Sequence, residues 1–224
     1  MTVNRTTAYA TSTVTALPER TATAAPARKA CAALPVVRDL RDRGGHSPHG
    51  LSFASADLAV ITGLPGSGKS TLMRRAVPGI RIDSQDTRER WAERVPQFLP
   101  YALYRPLVRV AHYAGLRRAL RTGEGVVVHD CGTQAWVRNW LAREARRRGG
   151  TLHLLLLDVD PDTALDGQRE RGRGVSRYAF LRHRRSVARL LRAVEKGELP
   201  GGCGSAVLID RAAADVLRRI DFGE

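Results

Sequence analysis

Residues 63–70 read Gly63-Leu64-Pro65-Gly66-Ser67-Gly68-Lys69-Ser70, which matches the pattern GxxxxGK[ST] at every position. An apolar run at residues 58–62 precedes the motif, and a segment with helical character follows it. Glycines at such a bend let consecutive backbone N–H groups turn inward, where a side chain would otherwise stand. The following helix would direct its positive N-terminal end to the same place. The stretch therefore predicts a strand–loop–helix unit that holds phosphate groups.

The motif also predicts which side chains act on a bound nucleotide. Lys69 can reach the β- and γ-phosphates, and the Ser70 hydroxyl is a hard oxygen suited to Mg²⁺. The two asparagines, Asn4 and Asn139, do not begin the NKxD pattern of guanine recognition. We therefore expect ATP and Mg²⁺ as ligands, with the nucleotide bound by Gly63, Leu64, Pro65, Gly66, Ser67, Gly68, Lys69, Ser70 and Thr71.

From residue 57 onward, short apolar runs alternate with amphipathic stretches. Predicted strands lie at residues 58–62, 79–82, 125–129, 151–157 and 205–209. Predicted helices lie near residues 69–76, 84–95, 104–121, 134–148, 162–172, 176–196 and 211–220. Runs that are apolar at nearly every position are typical of strands buried on both faces of a parallel sheet. The pattern predicts a three-layer α/β domain around a five-stranded, mostly parallel sheet.

The first 50 residues differ from the rest of the chain. They are rich in Thr, Ala, Pro and Arg and show no sustained helical or strand periodicity. We interpret residues 1–50 as a disordered basic tail and residues 51–224 as the ATP-binding domain. The chain has three cysteines, no CxxC pair and no apolar run of 18 residues, so we expect a cytoplasmic protein without a membrane span.

The formal net charge of +15 rests on 37 basic residues, and only three of these are lysines. Arginines are dense between residues 138 and 192, and a field of this kind attracts phosphates of every sort, from ATP to RNA. The same arginines can also lie on solvated helix faces. The charge is therefore compatible with a nucleic-acid partner but does not require one.

A candidate magnesium ligand follows the predicted strand at residues 125–129. The strand ends in His129, which we interpret as a buried strand histidine, and Asp130 comes next. Asp130 is followed by Cys131 rather than by the glutamate with which many ATPase motors activate water. Asp158 ends another apolar run and is an alternative for the same role. We expect Ser70 and Asp130 to hold Mg²⁺.

Two further segments accompany the phosphate loop. Residues 82–88 read IDSQDTR at the end of the second predicted strand, and residues 155–161 (LLLDVDP) are followed by residues 168–174 (QRERGRG). With the loop, these segments resemble the P-loop kinases, in the group with zeta-toxin-like, adenylylsulfate-kinase-like, chloramphenicol-phosphotransferase-like and polynucleotide 5′-kinase-like proteins. The resemblance covers about residues 57–222. It rests on three segments that occur in the same order.

The resemblance implies a role for the acids that follow the second strand. Members of the group place an acid there that orients or deprotonates the acceptor hydroxyl, with an arginine nearby that grips substrate or phosphate. Asp83 and Arg88 match the D-x-D-x-x-R form, whereas Gln85 takes the place of the second acid and Asp86 comes one residue late. We predict Asp83 as the general base, with Asp86 second. Alternatively, Asp83 is only the N-cap of the following helix.

The resemblance also implies an arginine-rich lid that closes over the β- and γ-phosphates. Arg169 and Arg173 are four residues apart, so on a helix they would share one face. The glycines of residues 168–174 would give the segment freedom to close. We predict Arg169 and Arg173 as catalytic lid residues, and an exposed arginine-rich helix end is the alternative.

Aromatic residues are concentrated between residues 91 and 104, where these kinases build the acceptor pocket. Aromatic side chains stack on bases and sugars, and they also fill cores. We name as acceptor candidates Asp86, Trp91, Tyr101 and Thr133.

Taken together, these features predict an ATP-dependent kinase that phosphorylates a hydroxyl of a small molecule, a nucleotide or a nucleic-acid end. Two other classes stay open. A nucleic-acid-associated ATPase would hydrolyse ATP in response to DNA or RNA, and a non-catalytic sensor would bind ATP without turnover.

Overall fold

The computed structural model describes residues 36–44, 46–96, 98–129, 135–170 and 176–223. The strands are β1 (Val36–Asp39), β2 (Gly50–Ala54), β3 (Leu58–Gly63), β4 (Ile80–Ile82), β5 (Val126–His129), β6 (Leu152–Leu157), β7 (Cys203–Ile209) and β8 (Arg219–Gly223). The helices are α1 (Lys69–Ala76), α2 (Ser84–Ala92), α3 (Tyr101–Leu120), α4 (Ala135–Arg147), α5 (Pro161–Arg169), α6 (Arg177–Glu195) and α7 (Arg211–Val216).

Six strands form one parallel sheet in the order β1-β7-β6-β3-β5-β4. Every residue of β3, at the centre, is buried. A strand with this burial needs apolar side chains on both faces, which explains why its sequence does not alternate. One core cluster contains Leu116 of α3 and Leu141 of α4, and a second contains Leu72 of α1. The predicted three-layer α/β fold is confirmed, with a parallel sheet of six strands rather than five.

The additional strand, β1, corrects the predicted boundary of the N-terminal tail. Residues 36–50 were assigned to the tail, but Val36–Asp39 pairs with β7 along its full length. The backbone N–H of Leu40 then donates to the Leu208 carbonyl at 2.9 Å. An edge strand is held by backbone hydrogen bonds and buries little side-chain area, so its sequence carries a weak apolar signal. The prediction for residues 1–35 lies outside the described residues and stays a prediction.

A second, two-stranded parallel sheet pairs β2 with β8. The helix predicted near residues 211–220 is therefore wrong in its second half, because α7 ends at Val216 and β8 begins at Arg219. Leu51 of β2 and Ile220 of β8 are both buried against the core. Strand pairing with β2, which is distant in sequence, thus overrides the local helical pattern.

The sheet order determines which loops meet at the site. Strands β3, β5 and β4 are neighbours, and in a parallel sheet their carboxyl ends open on one edge. Gly63, His129 and Asp83 stand at or just after these three ends. In the described part of the chain, no helix has the length and apolar character needed to cross a bilayer.

Candidate active site

The phosphate loop connects β3 to α1 through a bend that only glycine accommodates easily. Gly66 and Gly68 have φ angles of 89° and 92°, in the left-handed region. The Ser67 N–H donates to the Leu64 carbonyl at 3.1 Å and tightens the turn. The result is a concave backbone segment at the N-terminus of α1, which fits an anionic phosphate group.

Helix α5 packs directly on this loop. A Cβ atom at Gly66 would overlap the carbonyl oxygen of Ala164, and one at Gly167 would lie 2.6 Å from the Gly66 carbonyl oxygen. Gln168 donates from Nε2 to the Pro65 carbonyl oxygen at 3.1 Å. Arg169, one of the two predicted lid arginines, therefore ends the same helix that packs on the loop.

Lys69 begins α1 and folds back over the loop. Its Nζ atom lies 2.6 Å from the Leu64 carbonyl oxygen and 3.1 Å from that of Gly63, and the side chain is buried. The Ser67 hydroxyl is 3.3 Å away. These contacts hold the ammonium group inside the concave face of the loop, where its positive charge would lie next to a bound phosphate and offset the negative charge.

Asp83 follows β4 and is buried, and its two carboxylate oxygens have different surroundings. Oδ1 accepts a hydrogen bond from the Gln85 N–H at 2.9 Å, so Asp83 is the N-cap of α2. Oδ2 is buried and has no hydrogen-bond partner among the described residues. The N-cap role, offered by the sequence as an alternative, is therefore present, and it engages only one of the two carboxylate oxygens.

The nearest partner of Asp83 across the sheet is His129. The Nδ1 atom of His129 lies 2.7 Å from Oδ1 of Asp83, and both side chains are buried. Burial alone would raise the pKa of Asp83, but the hydrogen bond and charge of His129, with the Ser70 hydroxyl and the Gln85 N–H, hold that pKa below its ordinary value. Asp83 is therefore a carboxylate at neutral pH.

The pairing of His129 was missed in the sequence, where this residue was interpreted only as a buried strand histidine. The burial is as expected, but the side chain is directed to the candidate base. The available signal was a histidine at the last position of an otherwise apolar strand, in register with the acid-bearing strand β4.

A cavity of about 320 Å³ opens beside Asp83, between β4, α2 and α3. Asp86 and Trp91, two of the predicted acceptor residues, line it together with Asp83. This volume is at the lower end of the range for small-molecule sites. The structure therefore brings the candidate base and two candidate acceptor residues into one concave surface.

Other predicted residues stand elsewhere. The Arg88 guanidinium lies over the Tyr101 ring, 4.2 Å from its centroid, in a cation–π contact between α2 and α3. Neither residue is among those lining the cavity. Arg169 pairs with Asp166 at 2.7 Å, and both side chains are largely exposed. Predicted residues outside the described part of the chain are Asp130, Thr133 and Arg173.

Asp158, the alternative magnesium ligand, forms an ion pair with an arginine side chain. Arg41 lies 2.7 Å from Asp158 and also contacts Asp39 and Glu195. These ion pairs link the segment after β1 to the ends of β6 and α6. They favour a structural role for Asp158 over metal binding.

The residues present fit a magnesium-bound nucleotide. Gly66 and Gly68 hold the loop in its left-handed bend, and the Ser70 hydroxyl lies near the Asp83 carboxylate, which has a buried oxygen without a hydrogen-bond partner among the described residues. In nucleotide sites Mg²⁺ is bound by one or two protein oxygens together with the phosphates, so a large protein ligand cluster is not required.

The model of the AAA domain family matches residues 58–196, more than half of the chain. No curated protein matches the chain. Similar solved structures include one of the PezAT chromosomal toxin–antitoxin system of Streptococcus pneumoniae. Its TM-score is 0.50 at 15% sequence identity, and the match covers 79% of this chain and 80% of that chain.

Two other solved structures are similar at lower scores. The tunicamycin resistance protein of Deinococcus radiodurans has a TM-score of 0.41 and 17% identity, with 71% of this chain and 92% of that chain covered. A gluconokinase from Sinorhizobium meliloti 1021 has a TM-score of 0.38 and 21% identity, with 74% of this chain and 89% of that chain covered. At such identities a likeness concerns the fold alone. The family match is shown for the greater part of the chain, and it agrees with the predicted resemblance to P-loop, AAA-type ATP-binding proteins.

Proposed function

The chain belongs to the AAA domain family, and from this membership and the geometry of the site we propose that it is an ATP- and Mg²⁺-dependent kinase. It would transfer the γ-phosphoryl group to a hydroxyl of an acceptor bound beside Asp83. One observation carries the proposal. A buried carboxylate with one unpartnered oxygen stands at the same sheet edge as the phosphate loop, close enough to Ser70 for that hydroxyl to lower its pKa.

The loop supplies binding and charge for the donor. Its backbone N–H groups and the N-terminus of α1 hold the phosphates, and Lys69 neutralises negative charge as the phosphoryl group moves. Ser70 is the proposed protein ligand of Mg²⁺, with Asp130 as the second, and Mg²⁺ supplies neutralisation of the phosphate oxygens when bound.

Asp83 serves the acceptor. Its Oδ2 atom accepts a hydrogen bond from the acceptor hydroxyl and orients the oxygen for attack, while His129 and the N-cap contact fix Oδ1. A carboxylate with a lowered pKa is a weak base, but phosphoryl transfer passes through a loose transition state that requires little early proton abstraction. Positioning is therefore the main contribution of Asp83.

Arg169 and Arg173 are proposed to close over the transferred group. Arg169 would first leave Asp166, and an exposed ion pair of this kind is worth only about 0–1 kcal/mol, so the exchange costs little. Arg88 was predicted to grip phosphate, and its stacking on Tyr101 instead supports a role in joining α2 to α3.

The experiment is incubation with ATP, Mg²⁺ and a metabolite extract, followed by mass-spectrometric detection of a phosphorylated product. A Lys69→Ala variant should lose turnover by about 10²-fold or more. Lys196→Ala changes an exposed lysine after α6 and is the matched control. Normal turnover by Lys69→Ala would overturn the proposal. Phosphate release without a phosphorylated product would indicate an ATPase, and binding without turnover would indicate a sensor.

A further inference from the structure

The cavity beside Asp83 is lined by four arginines that come from separate parts of the chain. Arg81 belongs to β4, Arg90 to α2, Arg94 to the segment after α2, and Arg118 to α3. Within this cavity the opposing carboxylates are those of Asp83 and Asp86. The lining therefore carries an excess of guanidinium groups.

These arginines differ from others on the same domain in what they contact. Arg147, Arg169 and Arg219 each form an ion pair with a carboxylate two or three residues away. Among the described residues, no carboxylate forms an ion pair with Arg81, Arg94 or Arg118. Arg90 donates to the Asp86 carbonyl oxygen at 3.2 Å and to the Thr87 hydroxyl at 3.5 Å, neither of them an anion.

Four cations without ionic partners around one concave surface repel each other, and a bound anion would remove that repulsion. Guanidinium groups present paired N–H donors that match the oxygens of phosphate and carboxylate. Trp91, half-buried in the same lining, offers an apolar face to the body of a ligand. The Asp83 carboxylate would repel an anion and accept a hydrogen bond from a hydroxyl. The lining therefore favours a molecule that carries an anionic group at one position and a hydroxyl group at another.

We propose that the acceptor is a small hydroxyl compound that carries an oxyanion group, and that this group binds the cavity arginines while the hydroxyl faces Asp83. The inference rests on the proposed kinase function for the role of the hydroxyl. The binding of the oxyanion stands on the cavity alone. A phosphate ester and a carboxylate share the required chemistry, and the acceptor test separates them.

The first test measures oxyanion binding without catalysis. The protein is saturated with ADP and Mg²⁺ so that the phosphate loop is filled, and inorganic phosphate is titrated while tryptophan fluorescence is followed. Replacing Arg94 and Arg118 together by glutamine should weaken phosphate binding by about 10-fold or more, because two positive charges that face the bound phosphate are lost. Arg117→Gln changes an exposed arginine next to Arg118 that does not line the cavity, and it should leave the affinity unchanged. Equal affinities in the double variant and the wild type would overturn the inference.

The second test uses matched acceptor pairs with ATP: glucose with glucose 6-phosphate, glucose with gluconate, and cytidine with cytidine 3′-monophosphate. The anionic member of a pair should have the higher kcat/KM. The double variant should lose this preference because its KM for the anionic acceptor rises. Preference for glucose 6-phosphate over gluconate identifies phosphate as the anchoring group, and the reverse identifies carboxylate. Equal use of neutral and anionic members would overturn the inference while leaving the kinase intact. Phosphate binding that depends on the arginines, without phosphorylation of any acceptor, supports the oxyanion site and counts against the kinase.

Discussion

The Nδ1 atom of His129 lies 2.7 Å from Oδ1 of Asp83, and the two residues are 46 positions apart in the chain. The contact joins the ends of β5 and β4, at the edge of the sheet where the phosphate loop also opens. It fixes the ionisation state and the orientation of the carboxylate that we assign to the acceptor.

Replacing Asp83 by asparagine should separate the roles of the two neighbouring acids. The amide keeps the size of the side chain but loses the charge that orients the acceptor hydroxyl, so kcat should fall by about 10²–10⁴-fold. Asp86→Asn should reduce kcat by less than about 10-fold, because Asp86 is on the cavity wall and lacks the His129 contact. ATP affinity, measured by calorimetry, should be similar in both variants. A larger loss in Asp86→Asn would transfer the catalytic role to that residue.

Replacing His129 by leucine should change the pH dependence of the reaction. Without the imidazole, burial dominates and the pKa of Asp83 rises, so the acid limb of the kcat profile should move to higher pH. His129→Gln can still donate a hydrogen bond through its amide and should restore part of the profile. If His129 had only a structural role, the substitution would lower the stability of the protein but would leave the acid limb of the folded enzyme in place.

The same pair makes the free energy of unfolding depend on pH. The folded pKa of Asp83 is below its unfolded value of about 3.9, so its stabilising contribution is present above about pH 4 and is lost as the pH falls towards the folded pKa. At pH 7, His129→Leu should cost about 3–5 kcal/mol, because a buried charge loses its partner. Urea unfolding at pH 3, 5 and 7 should show the smallest difference from wild type at pH 3. A difference independent of pH would contradict this expectation.

Gly66→Ala should damage both the fold and nucleotide binding. The new Cβ would overlap the Ala164 carbonyl oxygen, and φ at this position is 89°, so the strain should cost about 1–3 kcal/mol or more. Gly79→Ala adds the same atom in open space and should change stability by less than about 0.5 kcal/mol. Urea unfolding and ATP-induced thermal stabilisation measure the two effects. Equal stability of both variants would show that α5 moves aside easily.

Arg41→Gln should weaken the attachment of the N-terminal strand. It removes contacts to Asp39, Asp158 and Glu195, but these side chains are partly exposed, so the cost should be only about 1 kcal/mol. Added salt should reduce the difference from wild type in urea unfolding. Arg38→Gln changes an exposed arginine of β1 and provides the control. An equal effect of the two substitutions would argue against the Arg41 ion pairs.

Several features followed from the amino-acid sequence alone. The loop at residues 63–70 was predictable because its bend depends on glycines at fixed spacing and on a lysine and serine at its end. Strands β3, β5 and β6 were predictable because a strand buried on both faces is apolar at nearly every position. The position of Asp83 at a strand end was also predictable, since local sequence places it after an apolar run and at a helix start.

Other features were decided by tertiary structure. Strands β1 and β8 form because backbone groups pair with distant strands, an interaction that places almost no demand on side-chain pattern. The approach of His129 to Asp83 depends on β5 lying beside β4, and the grouping of Arg81, Arg94 and Arg118 depends on α3 packing against α2 and β4. Contacts between residues far apart in the chain have no signature in local periodicity, because they arise only when the order of the strands brings those residues together.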